Sequence, residues 1–103
     1  MSAESLQVLA DPVRLAIVEA LATQPSSVGL LAQSFPISRP AISRHLRLLK
    51  DAGLVEPVVE GTRHIYRVRP DGISALRAYM DELWREASTR YTMAAENLAG
   101  ENS

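Results

Sequence analysis

The sequence predicts one mainly helical domain that carries a single β-hairpin. Apolar residues recur at helical spacing through most of the chain, whereas residues 54–69 hold β-forming residues around a glycine turn. A length of 103 residues suits one domain. We expect residues 1–98 to form it and residues 99–103 to be a frayed tail. A core of this size is only modestly stabilising, so oligomerisation is also expected.

Three helices are predicted in the first third of the chain. A short helix over residues 4–10 precedes a longer one, which Asp11 caps and which ends near Ala22. A turn cluster at residues 23–27 then leads into another short helix over residues 28–34, with one of its serines placed to cap that helix.

The segment from Ser38 to Lys50 predicts a helix with two chemically opposite faces. Ser38 can serve as its N-cap, and Pro40 lies in the first turn, where a missing N–H costs nothing. Three apolar residues form a stripe that must be buried: Ile42, Leu46 and Leu49. A different face carries only cations and a hydroxyl: Arg39, Ser43, Arg47 and Lys50, with Arg44 beside them. Such a face suits DNA phosphates and base edges, although a solvated surface helix is the alternative.

A hairpin is predicted directly after this helix, which ends at Gly53. Leu54–Val59 would form its first strand, with Pro57 indicating a sheet edge. A four-residue turn over residues 60–63 leads to a second strand over residues 64–69. Alternation places His64, Tyr66 and Val68 on one face of the hairpin and Arg63, Ile65, Arg67 and Arg69 on the other.

The chain ends in a long predicted helix. Pro70–Gly72 breaks the second strand, and the helix then runs to about Glu96. Apolar residues follow a nearly heptad spacing, which Tyr79 and Trp84 widen: Ile73, Leu76, Met80, Leu83, Ala87 and Tyr91. The helix could pack entirely within one chain. We favour pairing with a second copy, because its apolar face exceeds what a small body covers.

The charge distribution indicates a polyanionic partner although the net charge is only −1. Residues 39–69 carry a net charge of +4, and the rest of the chain carries −5. Ten of the eleven cations are arginine, which suits bidentate contacts. A cationic segment on an acidic body can orient the molecule towards nucleic acid.

Several classes of function are excluded by composition. The chain has no cysteine, so disulfides and thiolate metal sites are impossible. No secretion signal or membrane-length apolar run is visible, so we expect a cytoplasmic protein without a membrane partner. The serines lie at caps and the histidines lack nearby acid partners, so we do not expect an enzyme.

Three stretches, in this order, resemble the ArsR family of bacterial winged-helix repressors: Leu9–Val18, Ser38–Leu46 and Leu49–Val55, followed by the Gly61 turn. The resemblance implies a winged helix-turn-helix fold, dimerised through its terminal helices. It also implies a homodimer that occupies double-stranded operator DNA at its own or a neighbouring operon. Many members of the family release DNA when a ligand binds.

The resemblance also implies roles for individual residues. The DNA-binding set would be Ser38, Arg39, Pro40, Ser43, Arg44, His45, Arg47, Lys50, Arg63 and Arg67. Arg39, Ser43 and Arg44 would lie nearest the base edges, His45 and Arg47 nearer the phosphates, and Arg63 and Arg67 along the wing. His45 suits equally a half-buried histidine that caps a neighbouring element. The dimer interface would contain Leu6, Leu9, Leu76, Met80, Leu83, Trp84, Ala87 and Tyr91.

The chain departs from the family's metal sensors. Those proteins carry cysteines in the helix before the recognition helix, or histidine and carboxylate ligands on the last helix. Residues 30–34 contain no thiol here, and the two histidines, His45 and His64, both precede the last helix. We therefore expect no metal or cofactor, and a signal from a small molecule, a protein or the protein's own concentration. The alternative function is a winged-helix module that docks a protein or RNA, although the face of Arg39, Ser43 and Arg47 offers no apolar anchor.

Overall fold

The computed structural model describes residues 2–101 and contains five helices and one antiparallel hairpin. In chain order, the elements are α1 (Ser2–Leu9), α2 (Pro12–Thr23), α3 (Val28–Ser34), α4 (Arg39–Asp51), β1 (Val55–Glu60), β2 (Arg63–Val68) and α5 (Pro70–Glu101). The predicted mainly helical fold with one hairpin is therefore confirmed. We call the β1–β2 hairpin the wing.

Side-chain caps fix where the helices begin. The carboxylate of Asp11 accepts hydrogen bonds from the backbone N–H groups of Val13 and Arg14 at the start of α2. Ser27 and Ser38 do the same with their hydroxyl groups for α3 and α4, each at 3.2 Å. These caps satisfy N–H groups that the first turn of a helix leaves unpaired, which is why the predicted starts are close to the observed ones.

A glycine motif ends α4. Gly53 has a φ of 78°, a conformation that side chains disfavour. Its N–H donates to Lys50 O at 2.9 Å, and the N–H of Leu54 donates to Leu49 O at 3.0 Å. This pair of hydrogen bonds is a Schellman motif, which turns the chain directly from α4 into the wing.

The core lies between α2, α3, α4 and the base of the wing. Its most buried members come from all four elements and the segment that follows α4: Ile17, Leu21, Leu31, Ile42, Leu46, Leu49, Leu54 and Val55. Tyr66 and Val68 of β2 pack against this cluster. The predicted apolar stripe of α4 is thus confirmed, and its burial fixes how that helix is rotated.

The wing has a tighter turn than predicted. Glu60 and Arg63 are already paired, so only Gly61 and Thr62 form the turn, and β2 begins at Arg63 instead of His64. Gly61 takes a φ of 63°, which allows this short connection.

A backbone bridge that the sequence did not predict anchors the wing to the helical body. Ser26, just before α3, exchanges two backbone hydrogen bonds with Tyr66, at 3.1 and 2.9 Å. Both polar backbone groups of Tyr66 therefore point away from β1, where Pro57 stands opposite. Proline lacks an N–H, so this register costs no hydrogen bond and confirms β1 as an edge strand.

Helix α5 begins earlier and ends later than predicted. Pro70–Gly72, predicted as a break, form its first turn, because proline is well suited to the first helical position. The helix continues to Glu101, so residues 99–101 of the predicted tail are helical, while residues 102–103 lie outside the described residues. Gly72 packs closely on the backbone of Gly53.

The long helix gives the molecule its elongated shape, with extents of 71 × 26 × 20 Å. Thirty-two residues span about 48 Å at 1.5 Å per residue, and the helix contacts α1 near the body. Over the part of the chain that the structure describes, no helix has the length and apolarity needed to cross a membrane.

Candidate nucleic-acid interface

The outward face of α4 carries the cations that the sequence singled out. Arg39, Ser43, Arg44, Arg47 and Lys50 are all exposed. The opposite face is fixed in the core, since Ile42, Leu46 and Leu49 are each 0% exposed. The rotation of α4 is therefore set by packing, and the cationic face can only point to solvent.

Five cations on α4 and the wing have no acidic partner within 4.0 Å among residues 3–98, whose side chains the structure describes: Arg39, Arg44, Arg47, Lys50 and Arg63. Elsewhere, arginines of the chain do form ion pairs, as Arg85 with Glu82 and Arg90 with Glu86. Unpaired guanidinium groups in solvent are ready to bind an anion without first breaking an internal pair.

Arg39 is placed differently from the other cations of α4. Its side chain turns back towards α3, with Nη2 3.5 Å from the point that a Cβ atom at Gly29 would occupy. It lines a groove between the starts of α3 and α4 and the tip of the wing, together with Ser27, Val28, Thr62, Arg63 and His64. The structure thus brings Arg39 and Arg63, from helix and wing, to one groove.

Two arginines, Arg67 in β2 and Arg69 just after it, already form ion pairs. Arg67 lies 3.4 Å from Glu56, its cross-strand partner in the hairpin register. Arg69 contacts Asp71 at 2.6 Å, and this hydrogen bond lowers the pKa of the Asp71 carboxyl group and raises the pKa of Arg69. Arg67 therefore differs from Arg63, which lies on the same predicted face of the wing.

His45 sits at the edge of the buried side of α4 and is half-buried. Its Nδ1 lies 3.4 Å from Nη1 of Arg14 on α2. Arg14 also donates from Nε to the carbonyl oxygen of Val8 at 2.7 Å. The backbone N–H of Arg14 donates to Asp11, and this hydrogen bond lowers the pKa of the Asp11 carboxyl group. One side of the ring thus makes the packed contact that the structural alternative predicts.

The predicted dimer residues fall into two groups. Leu6, Met80, Leu83, Trp84, Ala87 and Tyr91 are exposed, with Trp84 at 74% and Tyr91 at 78%. Leu9 is partly buried against the core, and Leu76 is 8% exposed, so both already pack within one chain. The pairing of copies stays a prediction, with the exposed group as its candidates.

Metal-ligating side chains are not clustered in the described structure. Across residues 3–98, no group of three or more His, Cys, Asp or Glu side chains is placed to hold a metal ion.

Comparison with known proteins identifies the family. Residues 11–57, which span α2 to the first part of β1, match the family model described as bacterial regulatory protein, arsR family. The chain is 47% identical over 91 residues to the HTH-type transcriptional regulator Rv2034 of Mycobacterium tuberculosis, covering 88% of this chain and 85% of that one. The chain belongs to the ArsR family of bacterial regulatory proteins.

Other relatives agree with this assignment. The arsenical resistance operon repressor of Escherichia coli is 34% identical over 97 residues, which cover 93% of this chain and 83% of the repressor. An ArsR-like transcriptional regulator from Rhodococcus superposes with a TM-score of 0.80 at 30% identity, over 88% of this chain and 86% of the other. The homodimeric winged helix-turn-helix DNA-binding domain of Mb0332 from Mycobacterium bovis gives 0.66 at 31% identity, over 85% and 82%.

These relatives confirm the winged helix-turn-helix fold, in which α3 and α4 form the helix-turn-helix and β1–β2 form the wing. Sequence reasoning missed two features of this ArsR-family site. Arg14 was not singled out, because its contact with Val8, six residues earlier, follows no periodic pattern in the sequence. Ser26 was predicted only as part of a turn cluster, one of whose serines would cap α3; Ser27 is that cap.

Proposed function

We propose that this ArsR-family protein is a homodimeric, sequence-specific double-stranded DNA-binding repressor of its own or a neighbouring operon. One observation carries the proposal: the exposed cations of α4 and the wing tip, unpaired among residues 3–98, lie on one surface above a helix fixed by its buried face. Guanidinium groups on a helix suit the guanine edge in the major groove and the phosphates beside it.

Within this proposal, α4 enters the major groove. Ser43 and Arg44 are its candidates for base contacts, because both are exposed and neither is drawn towards α3. Arg47, Lys50 and His45 lie along the same helix as candidates for phosphate contacts, with Ser38 and Pro40 at its start. Arg39 was predicted near the base edges, and that role is untested. Because Arg39 and Arg63 line one groove beside the wing, we propose instead that both contact the DNA backbone.

Dimerisation would place two copies of α4 on one face of DNA. The exposed apolar residues of α5, among them Leu83, Trp84 and Tyr91, supply a face that a second copy can cover. A two-fold symmetric dimer reads two half-sites about one helical turn apart. An occupied operator blocks polymerase, and repression agrees with the name of the E. coli relative.

We further propose that the repressor has no metal effector of the thiolate or histidine kind. The chain has no cysteine, and α5 has no histidine. Zinc, nickel and copper sites depend on such nitrogen and sulfur ligands. The signal is then a small molecule, a protein or the concentration of the repressor itself. A stoichiometric zinc site that alters DNA affinity would overturn this part of the proposal.

Fluorescence anisotropy on duplex DNA from immediately upstream of the gene tests the function. A scrambled duplex and an RNA duplex of the same length serve as controls, each at two salt concentrations. Tight, saturable binding to the upstream DNA alone supports an autoregulating repressor. Equal, weak binding to both DNA duplexes directs the search to a neighbouring operon, and binding to none of the three contradicts the proposal and favours a protein-docking module.

A further inference from the structure

Arg14 of α2 connects three elements of the fold. Its Nε donates to Val8 O, in the last turn of α1, at 2.7 Å. Its Nη1 lies 3.4 Å from His45 Nδ1 on α4 and 3.8 Å from Asp11 Oδ2. The side chain is only 18% exposed. A shielded guanidinium group with these partners holds the end of α1 and the middle of α4 at a fixed separation.

The contact with Arg14 also determines the chemistry of His45. A guanidinium group only donates hydrogen bonds and keeps its proton in proteins. The Nδ1 atom that faces it must therefore accept, and the neutral ring carries its hydrogen on Nε2. Nε2 makes no hydrogen bond to any of residues 3–98.

We propose that Arg14 is a positioning residue for DNA recognition, which holds His45 as the neutral Nε2–H tautomer and ties α4 to the end of α1. This inference rests on the proposed DNA-binding function, since Nε2–H is the donor that His45 then offers to a phosphate. It unites both roles predicted for His45, because one ring nitrogen packs within the protein while the other is left to donate to a phosphate. It also links α4 to α1, which carries Leu6 and Leu9 of the predicted dimer interface.

The tautomer can be measured on the wild-type chain without DNA. Long-range ¹H–¹⁵N correlation spectra of the full ¹⁵N-labelled chain, at a pH where imidazoles are neutral, contain only two rings, His45 and His64. His64 is exposed and serves as the internal reference ring. We expect separate, fixed shifts for His45, with the hydrogen on Nε2. A ring that carries its hydrogen on Nδ1 overturns the inference.

Removal of the guanidinium group tests the effect on recognition. In Arg14→Gln, the His45 nitrogen shifts should move towards the values of His64. Affinity for the upstream duplex should fall about tenfold, the factor expected when a hydrogen bond to a charged group is lost. Arg77→Gln removes the same charge from an exposed site on α5 and should keep wild-type affinity. Thermal unfolding checks that each variant folds.

Two further variants separate positioning from charge. Arg14→Lys keeps the charge but cannot reach Val8 and His45 with one planar group, so full affinity in this variant overturns the inference. The double variant Arg14→Gln, His45→Asn should bind no worse than the weaker single variant, because the two residues act through one contact. Losses that multiply contradict it.

The design distinguishes the two proposals and does not depend on one variant. If Arg14→Gln does not fold, the wild-type tautomer and the Arg14→Lys affinity still decide the inference. A fixed Nε2–H tautomer in a protein that binds no DNA would reject the proposed function while retaining Arg14 as the residue that orients His45.

Discussion

The guanidinium group of Arg39 lies over Gly29, with Nη2 3.5 Å and Cζ 3.7 Å from the point that a Cβ atom there would occupy. Glycine at the second position of α3 leaves the surface flat beneath the arginine. The cation lies in the groove that it lines with Thr62 and Arg63 at the tip of the wing. The cationic face therefore has two parts. Arg39 faces the wing, whereas Arg44, Arg47 and Lys50 face outward to solvent.

Arg39→Ala should weaken binding to specific and scrambled duplexes by the same factor. The reason is that a phosphate contact carries no sequence information. The slope of log affinity against log salt should become shallower by about 0.9, the value for one phosphate. Anisotropy titrations over a salt series measure both quantities. Gly29→Ala is the control, because an added methyl group meets Arg39 at an ordinary contact distance and should change neither.

Arg44→Ala should instead relax sequence preference. If Arg44 contacts a guanine, its loss costs about 1–3 kcal/mol on the specific duplex and less on the scrambled one. Competition titrations with single-base variants of the operator locate the base concerned. Equal losses on specific and scrambled DNA would show that Arg44 is a phosphate contact.

Glu56→Gln should strengthen DNA binding modestly at low salt. Arg67 is paired with Glu56 at 3.4 Å, so removing the carboxylate frees a cation on the wing and removes a charge that repels phosphate. Exposed pairs are worth at most about 1 kcal/mol, so the gain should stay within about fivefold and disappear at high salt. Arg67→Ala should weaken all duplexes alike. No gain at low salt would mean that Arg67 lies away from DNA.

Leu83→Glu should dissociate the dimer. Leu83 is 50% exposed on the apolar face of α5, and a second copy would bury the new charge without a partner. Multi-angle light scattering gives the mass, and the same sample should lose tight operator binding. Thr89→Glu places the same charge on the polar face of α5, near Glu86 and Arg90, and should remain dimeric. A dimeric Leu83→Glu would move the interface elsewhere.

Gly72→Ala should destabilise the fold. A Cβ atom at this position would lie 1.9 Å from Gly53 O and 2.9 Å from Gly53 C, both of which are backbone atoms that cannot rotate away. Overpacking of this kind costs about 1–3 kcal/mol. Urea unfolding measures the loss, with Gly29→Ala as the matched substitution, where the added methyl group meets only the Arg39 side chain at an ordinary contact distance. Unchanged stability would show that α5 shifts freely on the body.

The local chemistry of the chain predicted most of the fold. Asp11, Ser38 and Gly53 act through hydrogen bonds to backbone only a few residues away, so their roles follow from sequence position alone. The buried stripe of α4 follows equally from a periodicity of 3.6 residues.

Contacts between residues far apart in the sequence could not be predicted from local signals. The approach of Gly72 to Gly53 and the meeting of Arg14 with His45 depend on how helices pack, which spacing along the chain does not encode. The position of Glu56 opposite Arg67 does follow from the hairpin register, which the predicted turn over residues 60–63 shares with the observed one, but an ion pair between the two side chains was not predicted. The cationic residues of α4 were predicted from local periodicity, whereas the contact of Arg14 with His45 was not predicted.

The backbone bridge between Ser26 and Tyr66 has a consequence for related genes. Its two hydrogen bonds involve no side chain, so any residue other than proline can supply them at either position. The number of residues between α2 and Ser26, however, sets which part of β2 is held and therefore the tilt of the wing towards α4. We expect the residue types of the segment after α2 to vary among close relatives while its length stays constant. A single inserted residue there would change the tilt of the wing and so the part of the DNA that it contacts.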